Sequence, residues 1–197
     1  MAVPQSPIEL DEIRRLMADS QRVISDRGTH FIAWGLIISA ALVLSHFAAT
    51  GRIGVNPGWI WVAAIGTGWI FSLVVGLRES REAAVQTLAT RLLSAIWIGC
   101  GVTLTVLGVV GEAVGAFGTG GFNAVVAGVL GLCYFATGVI YGSPWVRRLA
   151  VAWWAGAVLL LALPGVPGDL VMAAMIVALQ VVPGLLFYQR ARSSASA

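Results

Sequence analysis

Residues Thr29–Thr50 read THFIAWGLIISAALVLSHFAAT and contain no Asp, Glu, Lys or Arg. The hydrocarbon core of a bilayer is about 30 Å thick and a helix rises about 1.5 Å per residue, so about 20 consecutive apolar residues cross it. This run has that length without a break. Five more runs qualify, at 57–77, 92–111, 122–141, 145–163 and 170–188. In the fifth, Arg147 and Arg148 lie close to the start and must extend their charged heads to the interface. The sequence therefore predicts an all-α, multi-pass membrane protein with six transmembrane helices in a single domain, 29–189. An amphipathic segment, 1–28, precedes it, and the tail 190–197 is expected to be disordered.

Composition agrees with the runs. Of 197 residues, 58% are hydrophobic and 11% charged, and mean hydropathy is +0.89, which excludes a soluble globular domain. Eight Trp and 24 Gly fit a membrane protein, since Trp gathers at interfaces and Gly is frequent in transmembrane helices. Trp59, Trp61 and Trp145 fall at span ends, as an aromatic belt requires. Cys100 and Cys133 both lie inside apolar runs, so no disulfide framework is available. No basic region precedes a short apolar core at the N-terminus, so the first span reads as an uncleaved anchor.

All twelve basic residues are Arg. That bias suits a GC-rich genome and points to a bacterial plasma (inner) membrane. Eleven of the twelve flank the spans on one side, and only Arg52 falls on the other. Basic residues are retained in the cytoplasm, so both termini are expected there. The charge is sorted by side rather than gathered in a patch, so no nucleic-acid partner is expected.

Ser6-Pro7-Ile8-Glu9 has the form of a capping box with Pro in the first helical position. Apolar residues then recur at helical spacing, with Ile13, Leu16, Met17 and Ile24 on one face. A passive float on the inner leaflet explains this pattern, and so does a face that docks a protein partner. Arg78-Glu79-Ser80-Arg81-Glu82 reads as a solvated helix extension on the same side.

Within the membrane, depth arithmetic places Cys100 and Cys133 each about 13 Å from the cytoplasmic boundary, Gln180 about 15 Å and Ser39 about 16 Å. These four form a candidate polar layer, and Gln180 lies three residues before the helix-loosening Pro183. Ordinary helix packing accounts for the same residues, with Cys as a small hydrophobe and Gln as interhelical glue. Two thiolates at one depth suit Cu(I), but no His or Met clusters beside them in the sequence, so no metal and no cofactor is assigned. His30 and His46 sit at opposite ends of the first span, about 24 Å apart in depth, and cannot share a metal within one subunit. Glu112 and Asp169, the carboxylates expected on the outer side, lie at span ends rather than near the midplane where a proton-coupled transporter would use one. Small-residue pairs such as Gly128 with Gly131 and Gly138 with Gly142 predict close packing of spans three and four.

No catalytic motif is present, and the halves show no matching repeat, so an enzyme is not expected. The reading that remains is a membrane-embedded interaction or regulatory subunit. A small secondary transporter or channel using the layer around Gln180, Cys100 and Cys133 is the alternative. Its surroundings would be the lipid bilayer, with a protein partner at the cytoplasmic face and homo-oligomers compatible with the sequence. The topology predicts that Gly118→Cys, in a background without native Cys, reacts with an impermeant thiol reagent on intact cells. Ser196→Cys should stay unlabelled; the reverse pattern would overturn the orientation.

Overall fold

The computed structural model describes residues 29–82, 88–117, 121–163, 165–186 and 189. The expected amphipathic segment with Ile13, Leu16, Met17 and Ile24, and the tail, lie outside them. Of the described residues 88% are helical and none is in a strand. Six helices are long and apolar enough to cross a membrane: α1 (Thr29–Ala49), α2 (Pro57–Glu82), α3 (Leu88–Ala113), α4 (Gly121–Ile140), α5 (Pro144–Ala162) and α6 (Gly168–Leu186). They coincide with the six apolar runs to within a few residues. The largest differences fall around the charged connector, where α2 continues to Glu82 and α3 begins at Leu88. Polar residues in water hold helical geometry as readily as apolar residues in lipid, so an apolar count ends a span before the helix itself ends.

The helix ends follow local chemistry. α1 and α4 stop at Gly51 and Gly142, whose φ angles of 71° and 61° lie in the left-handed region open to Gly. After α4, Ser143 N–H donates to Gly138 O at 2.8 Å and Gly142 N–H to Val139 O at 3.1 Å. These are the paired bonds of a Schellman cap, which satisfy carbonyls the helix leaves open. Pro144 then starts α5 in the first helical position, where its missing N–H costs nothing.

Burial is uneven. Half of the α4 span is buried, against 6% of the α2 span. Ala127 on α4, with Ala150 and Trp153 on α5, are wholly enclosed, and Leu42, Met172 and Ile176 bring α1 and α6 into the same core. α2 contributes no residue to that buried cluster and attaches at its edge.

Glycine sets the closest approaches, but between different helices from those the small-residue pairs predict. A Cβ on Gly131 would run into the Trp154 ring, and one on Gly138 would lie 2.8 Å from the Arg147 backbone nitrogen, both on α5. Gly156 on α5 in turn faces Met175 on α6. The close partner of α4 is thus α5, not α3. Spacing shows that a helix can be approached; the bulky residue that fills the gap decides by which neighbour. On α1, Gly35 leaves room for Val181 of α6, where a Cβ would approach within 2.5 Å.

α6 is not a uniform helix. Residues Val177–Val181 form a π-helical turn. Pro183 follows closely, and its ring would collide with the carbonyl four residues back, so widening the preceding turn relieves that clash.

Gly138→Ala should lower thermal stability in detergent by about 1–3 kcal/mol, because backbone atoms of Ser143 and Arg147 cannot yield. Gly66→Ala on α2, where a Cβ meets nothing within 4 Å, should leave stability unchanged or slightly raised. A thermal unfolding scan of both variants checks the contrast.

Candidate functional site

Successive helices are joined by indole N–H bonds. Trp34 on α1 donates to Ser72 Oγ on α2 at 2.8 Å, Trp69 on α2 to Thr105 Oγ1 on α3 at 3.3 Å, and Trp97 on α3 to Thr137 Oγ1 on α4 at 3.1 Å. The two threonines pass their own protons back one turn, to the Gly101 and Cys133 carbonyls, each at 2.7 Å. Trp154 on α5 completes the series by donating to Gly128 O on α4 at 3.2 Å. An indole gives one proton and accepts none, so each bond fixes both the height and the rotation of the helix that carries it.

The Trp97–Thr137 bond also frames the two cysteines. Cys100 lies one helical turn beyond Trp97, and Cys133 one turn before Thr137, so antiparallel helices place both on the next layer inward. Both side chains belong to the one buried core cluster. Both are buried and neither is in a disulfide.

The other two members of the candidate layer join α1 to α6 instead. Gln180, inside the π-helical turn, donates through Nε2 to the Phe31 carbonyl at 3.2 Å. Ser39 Oγ donates to the Ala173 carbonyl at 3.5 Å, a weak contact at the limit of hydrogen-bond length. Ser39 and Gln180 are thus both engaged with backbone carbonyls across the α1–α6 interface, while Cys100 on α3 and Cys133 on α4 lie buried in the shared core.

Between the two pairs sits an aromatic cluster that hydropathy and depth do not single out. The Phe31 ring meets Trp97 edge-on at 4.8 Å and stacks on Tyr134 at 5.7 Å; Tyr134 in turn lies 6.1 Å from Trp153. Tyr134 and Trp153 are 2% and 0% exposed, and neither the Tyr134 hydroxyl nor the Trp153 indole N–H has a hydrogen-bond partner among the described residues. Orphaned donors in such a place are costly, of the order of 1–3 kcal/mol each. The indole and hydroxyl pairs lie within reach of the same depth arithmetic that locates the cysteines, once it is applied to Trp and Thr. Burial of Tyr134 and Trp153 does not, since hydropathy does not say which side of a helix faces inward.

Further polar side chains lie toward helix ends. Asn123 at the start of α4 is buried and donates to Asp169 Oδ1 at the start of α6, at 2.8 Å. His30 packs edge-on against Phe71 at 5.4 Å, and His46 lies 6.0 Å from Phe47. Among the described residues no three of His, Cys, Asp and Glu gather as metal ligands would. Comparison with protein-family models, with curated proteins and with solved structures gave no match.

Thr137→Val keeps the side-chain shape but removes the acceptor of Trp97. It should cost about 1 kcal/mol, the scale of an interhelical hydrogen bond in a membrane. The same change at Thr67, exposed on α2, should cost nothing measurable. Paired thermal or denaturant unfolding in detergent checks this.

Proposed function

We propose that this chain is a membrane-embedded interaction or regulatory subunit, resident in a bacterial plasma (inner) membrane with both termini in the cytoplasm. The orientation rests on the Arg distribution, eleven of twelve on one side. The observation that carries the interaction reading is the position of α2. It crosses the bilayer almost wholly outside the core, at 6% burial, and is attached through Trp34 and Trp69. Its outer face is shaped for a helix as much as for lipid. Ala63, Gly66 and Thr67 form a shallow mid-span strip flanked by the exposed Val62 and Ile70. Lipid offers no hydrogen bond to the Thr67 hydroxyl, whereas a second transmembrane helix does, and small residues let its backbone approach. The N-terminal face of Ile13, Leu16, Met17 and Ile24 would extend the docking surface into the cytoplasm.

The π-helical turn at Gln180 supports a second reading, a small secondary transporter or channel, since such turns recur at functional sites. The engagement of Gln180 and Ser39 with backbone carbonyls favours the first reading, because those bonds hold α1 against α6.

A photo-cross-linking residue in place of Ile70, on α2, should give a discrete protein adduct in native membranes. One in place of Val158, equally exposed on α5, should give lipid adducts only. Gly66→Leu should abolish the adduct at position 70 by filling the strip. Lipid adducts alone at both positions would sink the interaction reading. Gln180→Leu should leave the adduct intact; a transporter would instead lose flux with that change.

A further inference from the structure

Helix α5 carries two adjacent arginines, Arg147 and Arg148, and the packing of its neighbours fixes how deep they lie. A Cβ on Gly138 of α4 would sit 2.8 Å from the Arg147 backbone nitrogen, and one on Gly131 would run into the Trp154 ring. Gly131 and Trp154 each lie two turns farther in than Gly138 and Arg147, so one antiparallel register holds across both contacts. In that register Arg148 is level with Thr137, inside the end of α4 at Ile140. The Trp97–Thr137 bond carries the same level to α3, where Arg91 stands nearer the helix end. Arg148 is therefore about 9 Å farther into the bundle than Arg91.

Arg148 also faces outward. Val146, Ala150 and Trp153 are buried and mark the core side of α5, whereas Arg148 shares the opposite side with Val151 and Val158, 61% and 65% exposed. Arg147 leaves between the two sides, with its stem against Gly138. Neither guanidinium makes an ion pair or hydrogen bond among the described residues, and no acidic residue stands in the first turn of α5. We propose that Arg147 and Arg148 together hold the phosphate of an anionic phospholipid in the leaflet where α5 begins. A guanidinium on a lipid-facing side is costly in hydrocarbon, and the glycine contacts keep the backbone from sliding outward. The side chain must instead run along α5 until its head reaches the layer of headgroup phosphates. There Arg offers two parallel N–H bonds that match a phosphate, and it stays charged at every physiological pH. The phosphate of a zwitterionic headgroup already has its own ammonium as counter-ion, so two unpaired cations favour a headgroup of net negative charge.

The test uses the full chain, purified in detergent and stripped of lipid, with phosphatidylglycerol, phosphatidylcholine and inorganic phosphate as probes. Native mass spectrometry should show a discrete phosphatidylglycerol adduct, and that lipid should raise the thermal midpoint; phosphatidylcholine at the same concentration should do neither. Arg147→Gln and Arg148→Gln should each weaken the adduct about fivefold, the scale of one basic residue at a charged membrane surface. Arg52→Gln, at the opposite end of the bundle, should bind as wild type does. Should Arg148→Gln fail to fold, Arg148→Lys keeps the charge without the paired bonds, and should bind more weakly at wild-type helicity and elution. Absence of the adduct on folded wild type, or equal binding of phosphatidylcholine, would overturn the proposal. So would undiminished binding by the Arg147→Gln, Arg148→Gln double variant. An equal thermal shift from inorganic phosphate would identify a site for a free anion, and would overturn the lipid assignment.

Discussion

Hydrocarbon offers an indole N–H no acceptor, and the arrangement of this bundle turns on that fact. Transmembrane helices gain little from hydrophobic burial against one another, because lipid tails are as apolar as Leu. Close packing and a few interhelical hydrogen bonds must set which faces meet. Here Trp34, Trp69 and Trp97 each reach a hydroxyl on the next helix, and Trp154 reaches back to a backbone carbonyl of α4. Thr105 and Thr137 can accept because their own protons are held by carbonyls of their own helices, which leaves their lone pairs free for the indole. The rotations these bonds impose decide which faces of α1 to α4 turn toward one another.

Spans were legible because bilayer thickness converts directly into a residue count, and charge interrupts that count sharply. Faces were not. Leu36 and Leu42 are the same residue six positions apart on α1, yet one is 53% exposed and the other 2%. In water the exposed one would be expected to be polar, and the pattern would reveal the core; in lipid both are equally at ease. Glycine spacing misled for a related reason. Gly131 and Gly138 announce that α4 can be approached closely, but the approaching atoms belong to Trp154 and Arg147 on α5, which spacing within α4 cannot name. The π-helical turn was foreshadowed only by Pro183. The candidate layer was legible as a depth and not as a set of contacts, since depth is a distance along the chain while contact depends on rotation about each helix.

The molecule divides into a dense part and a loose one. Helices α4, α5 and α6 interlock through glycines and enclose Trp153 and Met172 completely. α2 is bonded through indole N–H groups to α1 and α3 rather than to these three, with most of its surface turned outward. The proposed docking strip lies on the loose part, and α2 supplies no residue of the aromatic cluster around Tyr134.

Contacts between neighbours in sequence also bear on how such a chain is made. The bonds from α1 to α2, α2 to α3 and α3 to α4 link residues 38, 36 and 40 positions apart. Each helix can therefore dock on its predecessor soon after leaving the ribosome, and little loop entropy is lost at any one step. The contact from Gln180 to the Phe31 carbonyl is different, for it spans 149 residues and needs nearly the whole chain. Gly35 keeps the adjoining surface of α1 open for Val181 of α6. Until synthesis reaches the final helix, the first one must wait in the bilayer with that notch unfilled, so the seam between them is the last to close and the point most exposed to an interrupted or truncated chain.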